Sequence, residues 1–186
     1  MYIDMVPDYS LPFKRFQHES IGLWRLLKLL VSRHQVDIAY LDLSQMVAEF
    51  VYQVQPTYRM HTLRFEHATS PVIVLGNTWC IEHILYHLVQ NAVKYSSTGG
   101  IIQIRVGRQG QAGYVEISDQ GCGIGQDDLS YIFDCFYRGQ RSRGPNRPGL
   151  GIGLAVVRRL VGQLNGQIDV VSAADQGSSF RVTLPA

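Results

Sequence analysis

The chain has 186 residues, 46% of them hydrophobic and 17% charged, with a formal net charge of +2. That length suits one ordinary domain with a short extra element. The composition is globular rather than disordered, and the charge is too small to point to nucleic acid or an anionic membrane. Three cysteines, Cys80, Cys122 and Cys135, show no CxxC spacing. They read as free thiols in a reducing compartment and imply no zinc site. No apolar run approaches the roughly 20 residues of a membrane-spanning helix. Asp4 and Asp8 interrupt any secretory pattern. The expectation is a soluble, cytoplasmic chain, or the cytoplasmic part of a membrane-anchored one.

Pro7 and Pro12 mark an irregular lead-in. Ile21, Leu23, Trp24, Leu27, Leu30 and Val31 then keep a helical period. A second helix is predicted over residues 43–54, with Asp42 or Ser44 as its cap and Pro56 closing it. Residues 61–65 alternate as a strand, and 72–75 form a short apolar run. Asn77 can cap the next helix, which runs to about residue 95. Its apolar residues Ile81, Ile84, Leu85, Leu88, Val89, Ala92 and Val93 give the clearest helical period in the chain. Strands follow over 101–106 and 114–118, joined by a turn within Gly110–Gly113. A glycine-dense loop spans 119–125, and a basic Pro/Gly loop spans 138–148. A helix over 154–164 stops at Asn165-Gly166. The chain ends in a hairpin of 167–172 and 179–184. This order predicts an α+β fold: a two-layer sandwich whose mixed, largely antiparallel sheet is covered by helices on one face.

Three clusters carry chemistry. His87, Asn91 and Lys94 share a narrow stripe on the strongest helix. An amide oxygen there can hold Mg²⁺, and an ammonium can neutralise a phosphate. Taken alone, the stripe reads more readily as a solvated helix edge. The second cluster, Asp119-Gln-Gly-Cys-Gly-Ile-Gly125, follows a strand directly. Its glycines let backbone amides approach a ligand, and its carboxylate can accept a hydrogen bond from an amino group such as adenine N6. The third, Gly149-Leu-Gly-Ile-Gly153, opens a helix whose N-terminus favours phosphate. No Gly-Lys-Ser/Thr follows it, no strand precedes it, and neither HRD nor DFG occurs, which excludes Walker, Rossmann and protein-kinase sites.

In this order the clusters resemble the ATPase and kinase family that includes gyrase, Hsp90, histidine kinases and MutL. The likeness is strongest to histidine kinases. His87-Leu-Val-Gln-Asn-Ala-Val-Lys-Tyr-Ser96 resembles their N box, and the 119–125 segment resembles the G1 box. Ile132-Phe-Asp-Cys-Phe-Tyr-Arg138 resembles the F box. Arg147-Pro-Gly-Leu-Gly-Ile-Gly-Leu154 resembles the G2 box, and Gly177-Ser-Ser-Phe180 the final strand entry. The resemblance spans about residues 36–185 and implies a Bergerat-type ATP-binding fold.

It further implies that Asn91 holds Mg²⁺, Lys94 contacts phosphate, Tyr95 packs near the adenine and Asp119 binds its exocyclic amine. Gly121, Gly123, Ile124, Gly125, Phe136, Arg138, Gly149, Leu150, Gly151, Ile152, Gly153, Leu154 and Ser178 complete the implied nucleotide contacts and hinges. Lys94 and Arg138 are its charge-neutralising residues. Residues 136–148 correspond to an ATP lid that also carries Arg141, Arg143 and Arg147.

Two departures matter. His87 occupies a position where histidine kinases usually carry another Asn. A neutral imidazole there can hydrogen-bond a metal-bound water, although a half-buried helix-edge histidine is the plainer reading. The gyrase-like branch carries a glutamate there to activate water. Its absence favours phosphoryl transfer over hydrolysis. Upstream, His18-Glu19 lacks the Arg-Thr-Pro context of a phosphoacceptor. Residues 1–35 read instead as the remnant of a dimerisation-hairpin helix, and 36–186 as the catalytic domain.

The expected function is transfer of the ATP γ-phosphoryl group to a histidine on a separate or missing hairpin. A response regulator is the implied partner, and a homodimer through the N-terminal helix is expected if its partner helix exists. A non-catalytic ATP-binding module and a serine kinase of the anti-sigma-factor type share the same pocket and stand as alternatives.

Overall fold

The computed structural model describes residues 37–140 and 149–186. The helical stripe of 21–31 and the lid arginines 141, 143 and 147 lie outside the described residues. Ala39–Asp42 forms β1, Leu43–Val54 α1, Thr62–Glu66 β2, Ile73–Gly76 β3 and Thr78–Tyr95 α2. Ile101–Gln109 forms β4, Ala112–Asp119 β5, Gln126–Leu129 the single turn α3, Gly153–Gln163 α4, Gln167–Ser172 β6 and Ser178–Leu184 β7.

Five strands make one sheet in the order β2-β4-β5-β7-β6. Only the β2–β4 pair in it is parallel. Alternation assigns the two faces. Ile102, Ile104 and Val106 of β4, Val115 and Ile117 of β5, and Phe180, Val182 and Leu184 of β7 are buried. They meet Ile81, Ile84, Leu85, Leu88 and Val89 of α2 and Val156, Val157, Leu160 and Val161 of α4, the apolar stripes of two amphipathic helices.

The opposite face is polar. Glu66, Arg105, Glu116 and Arg181 stand in register across four strands. Arg105 pairs with Glu66 at 2.7 Å, and Arg181 reaches Glu116 through both Nε and Nη2. The Arg105–Glu66 pair is exposed and adds little to stability, and the Arg181–Glu116 pair is partly buried. They keep that face solvated, so the helices cover one side only.

Three expectations need correction. Residues 39–42 form a strand that the sequence reading lacks. It pairs antiparallel with β3, while 73–76 rather than 72–75 is the span of that partner. The strand is four residues long, and its Tyr40 is 71% exposed, so it carries no internal alternation signal. The strand at 101–106 also extends to Gln109, because the Gly110-Gln111 turn lets Gln109 pair with Ala112.

Asp42, not Ser44, caps α1. Its Oδ1 accepts from Ser44 N at 2.9 Å and Gln45 N at 3.4 Å, and also from Val72 N at 3.3 Å. The one carboxylate therefore closes the helix and ties it to the start of β3. Asp42→Ala should lower unfolding stability by about 1–2 kcal/mol in a urea titration, at the upper end of a simple cap loss. A change below a few tenths would show that water replaces the cap without cost.

Candidate nucleotide site

Helix α2 presents the first cluster. Asn77 starts it by accepting from Cys80 N at 3.1 Å, and the apolar stripe then fixes its rotation against the sheet. His87, Asn91 and Lys94 are half-buried along its edge. The segment 149–153 lies against that edge. A Cβ placed on Gly149 would stand 2.8 Å from Lys94 Nζ, and one on Gly153 would stand 3.5 Å from His87 Nδ1. Gly153 is the first residue of α4 and Ile152 its N-cap. The free amides of that helix end therefore sit beside the Asn91 stripe. Lys94 also lies 5.1 Å from the centre of the Tyr95 ring.

The Gly-rich loop is locked to the far end of α2. Cys122 N donates to Tyr95 O at 3.2 Å, and a Cβ on Gly121 would overlap that same carbonyl. Gly123, at φ +64°, packs directly on the Ala173 carbonyl between β6 and β7. Ile124 N donates to Ser172 Oγ at 2.9 Å, and Ser172 Oγ donates to Gly177 O at 2.7 Å. Asp175 N donates to Cys122 O at 2.9 Å. The β6–β7 turn thus clamps the loop from below. Ser172, Ala173 and Asp175 belong to no recognisable motif, and the sequence offered no signal for them.

Asp119 ends β5 on the buried face, opposite Ser178 of β7, and is 9% exposed. Its Oδ1 accepts from Gly121 N at 2.7 Å. Burial pushes its pKa above the ordinary carboxylate range, against the lowering effect of backbone hydrogen bonds from Gly121 and Ser178. A raised native pKa means that the folded state holds its proton to higher pH than the unfolded chain. The contribution to stability is therefore full below the unfolded value and is lost as pH rises through the native one. Affinity for a ligand that donates to the carboxylate should change the other way. It should fall on acidification at a higher pH than an ordinary aspartate would give, as a pH series of nucleotide titrations and unfolding curves would register.

The remaining residues divide. Phe136 N donates to Gly151 O at 2.9 Å, which fastens the F-box segment to the G2 segment. Phe136 itself has φ +66° and is 69% exposed, and Leu150 is 62% exposed, so both side chains point away from the core. Tyr137 Oη donates to Asp128 Oδ1 at 2.6 Å and holds the same segment to α3. Gly125 has an ordinary φ of −68° and serves as the N-cap of α3. Ser178 Oγ lies 3.0 Å from Ser172 Oγ, inside the loop clamp. Leu154 is half-buried in the first turn of α4, and Arg138 is half-buried beyond Tyr137.

A divalent cation and a polyphosphate fit this donor set. Among the described residues no group of three or more His, Cys, Asp or Glu could hold a metal. A cation at Asn91 would therefore draw most of its ligands from phosphate and water, the arrangement Mg²⁺ favours. Lys94 and the α4 N-terminus would offer positive potential to a phosphate placed there.

Residues 77–186 match the family described as histidine kinase-, DNA gyrase B-, and HSP90-like ATPases. The sensor-like histidine kinase SenX3 of Mycobacterium tuberculosis is 35% identical over 119 residues, 64% of this chain and 29% of its own length. The sensor protein VanS of Enterococcus faecium is 30% identical over 167 residues, 90% of this chain and 42% of its own. The chain thus spans less than half of either relative. Among solved structures, the Acinetobacter baumannii histidine kinase AdeS superposes with a TM-score of 0.73 at 23% identity, covering 100% of this chain and 86% of that one. That likeness supports the fold. No described helix is long and apolar enough to cross a membrane.

Proposed function

Because the chain belongs to the histidine kinase-, DNA gyrase B- and HSP90-like ATPase family, we propose that it is the ATP-binding catalytic domain of a two-component sensor histidine kinase. It transfers the γ-phosphoryl group of Mg·ATP to a histidine on an acceptor hairpin not recognisable in this sequence. The observation that carries the proposal is the convergence of the three clusters. The Asn91 stripe lies against Gly149–Gly153, and the 119–125 loop is bonded to Tyr95 at the end of the same helix.

In this reading Asp119 accepts from the adenine amino group beside Tyr95, and the loop glycines let the base approach. Asn91 holds Mg²⁺, while Lys94, Arg138 and the α4 N-terminus take the phosphates. The cation supplies neutralisation of phosphate charge. The protein has no nucleophile to provide. Its residues orient the nucleotide and offset charge so that an external imidazole nitrogen attacks the γ-phosphorus in line. The new bond is N–P, the bond to the β–γ bridging oxygen breaks, ADP leaves, and the imidazole releases its proton. A cytoplasmic location, a response regulator as the next acceptor, and a homodimer through residues 1–35 belong to the same proposal, as does the division of the chain at 35/36.

Incubation with γ-labelled Mg·ATP and a histidine-kinase acceptor hairpin tests it. The expected label on the hairpin is acid-labile and alkali-stable. Acid-stable label would instead favour the serine-kinase alternative, and ATP binding with no transfer a non-catalytic module.

A further inference from the structure

His87 stands four residues before Asn91 on α2. Side chains at i and i+4 share one helix face with Cβ atoms about 5–6 Å apart. This is the spacing by which paired helix side chains bind one metal. The direction of that face is fixed from outside. His87 Nδ1 meets the Gly153 position and Lys94 Nζ the Gly149 position, so Asn91, between them, faces the same segment.

The imidazole of His87 is half-buried, and its ring makes no hydrogen bond among the described residues. The Tyr86 ring meets it edge-on at 5.7 Å. His83, the nearby titratable group, is itself engaged with Trp79 O through Nδ1 at 2.9 Å. Burial, then His83, push the His87 pKa down to about 4. A neutral imidazole keeps a free nitrogen lone pair, the form that ligates metals. The ring thus stands beside the N-terminus of α4 with no hydrogen-bond partner among the described residues.

We propose that His87 is a second protein ligand, beside Asn91, to the divalent cation of the nucleotide, and that it shifts the site from Mg²⁺ toward Mn²⁺. Mg²⁺ is hard, prefers oxygen and gives up water reluctantly, whereas imidazole suits first-row transition metals. A nitrogen in place of an amide oxygen changes the preference without changing the nucleotide contacts. The proposal rests on the nucleotide site described above.

The test uses the full chain and His87→Asn, which restores an amide. ATP is titrated calorimetrically with Mg²⁺ or Mn²⁺, and the Mn²⁺ complex is examined by pulsed EPR for ¹⁴N coupling. The native chain should show directly coordinated nitrogen and tighter binding with Mn²⁺. In His87→Asn the coupling should vanish, and the Mn²⁺-over-Mg²⁺ preference should fall about tenfold, with Mg²⁺ affinity kept. A coupling that survives the substitution belongs to the nucleotide and overturns the proposal. So does an unchanged metal preference, or an equal loss with both metals. His87→Gln is measured alongside with thermal melts, so that a folding defect in one variant does not decide the matter. Failure of the native chain to bind nucleotide with either cation would sink the nucleotide site itself, a result distinct from binding without metal discrimination.

Discussion

Gly123→Ala should destabilise the domain by on the order of 3 kcal/mol and remove nucleotide binding with it. Gly123 adopts φ +64°, which costs a non-glycine residue about 1 kcal/mol. The larger part of the effect comes from space. A Cβ there would overlap the Ala173 carbonyl and lie 3.2 Å from the Gly177 carbonyl, both backbone atoms of the β6–β7 turn. Neither can yield without breaking the Ser172 and Asp175 bonds that hold the loop. Gly110 provides the control. It has φ +63° but nothing within 4 Å of the added atom. Gly110→Ala should therefore show the conformational cost alone, about 1 kcal/mol. Urea midpoints of the two variants separate strain from overlap. Equal losses would mean that the turn relaxes and that the clamp is softer than its geometry implies.

Asp119→Asn should weaken ATP binding about 100-fold, or about 2.7 kcal/mol, the scale of a buried hydrogen bond to a charged acceptor. The exchange preserves shape, and the asparagine oxygen can still accept from Gly121 N. What it loses is the second acceptor, replaced by a donor that would face the adenine amino group. Unfolding stability should change far less than affinity, because the carboxylate carries a desolvation penalty that the amide avoids. A competition assay with the base-modified nucleotide inosine triphosphate sharpens the result. Its 6-oxo group is an acceptor in place of the amine, so the native carboxylate should bind it poorly and the variant's amide, which can donate to it, should bind it at least as well as the native chain does. A native preference for ATP that persisted in the variant would remove Asp119 from the adenine contact.

Much of this fold is legible from residues close in sequence. The alternation of Ile102, Ile104 and Val106 and the spacing of Ile81 to Ala92 each report a single element and its buried face. Asn77 and the Asn165-Gly166 stop report helix ends. The parallel β2–β4 pairing has no such trace. Thr62–Glu66 would read the same beside any neighbour, since direction is decided by the crossover through β3 and α2. The site follows the same division. Asn91, Asp119 and Gly123 are legible because their residue types are restricted by chemistry or backbone conformation. Ser172 and Asp175 are not, because they act through a hydroxyl or a main-chain amide that many residues could supply. Leu150 and Phe136 resemble pocket residues in sequence but are largely exposed among the described residues.

Asn91 is proposed to lie at a cation-dependent nucleotide site built by α2, the 119–125 loop and the α4 N-terminus. Calorimetric titration of ATP into the native chain and Asn91→Ala, each with Mg²⁺ and with a chelator, tests it most directly. The native chain should bind ATP with a strong dependence on Mg²⁺, and Asn91→Ala should lose that dependence while unfolding normally. Native binding that is indifferent to Mg²⁺, or that survives Asn91→Ala unchanged, would contradict the assignment.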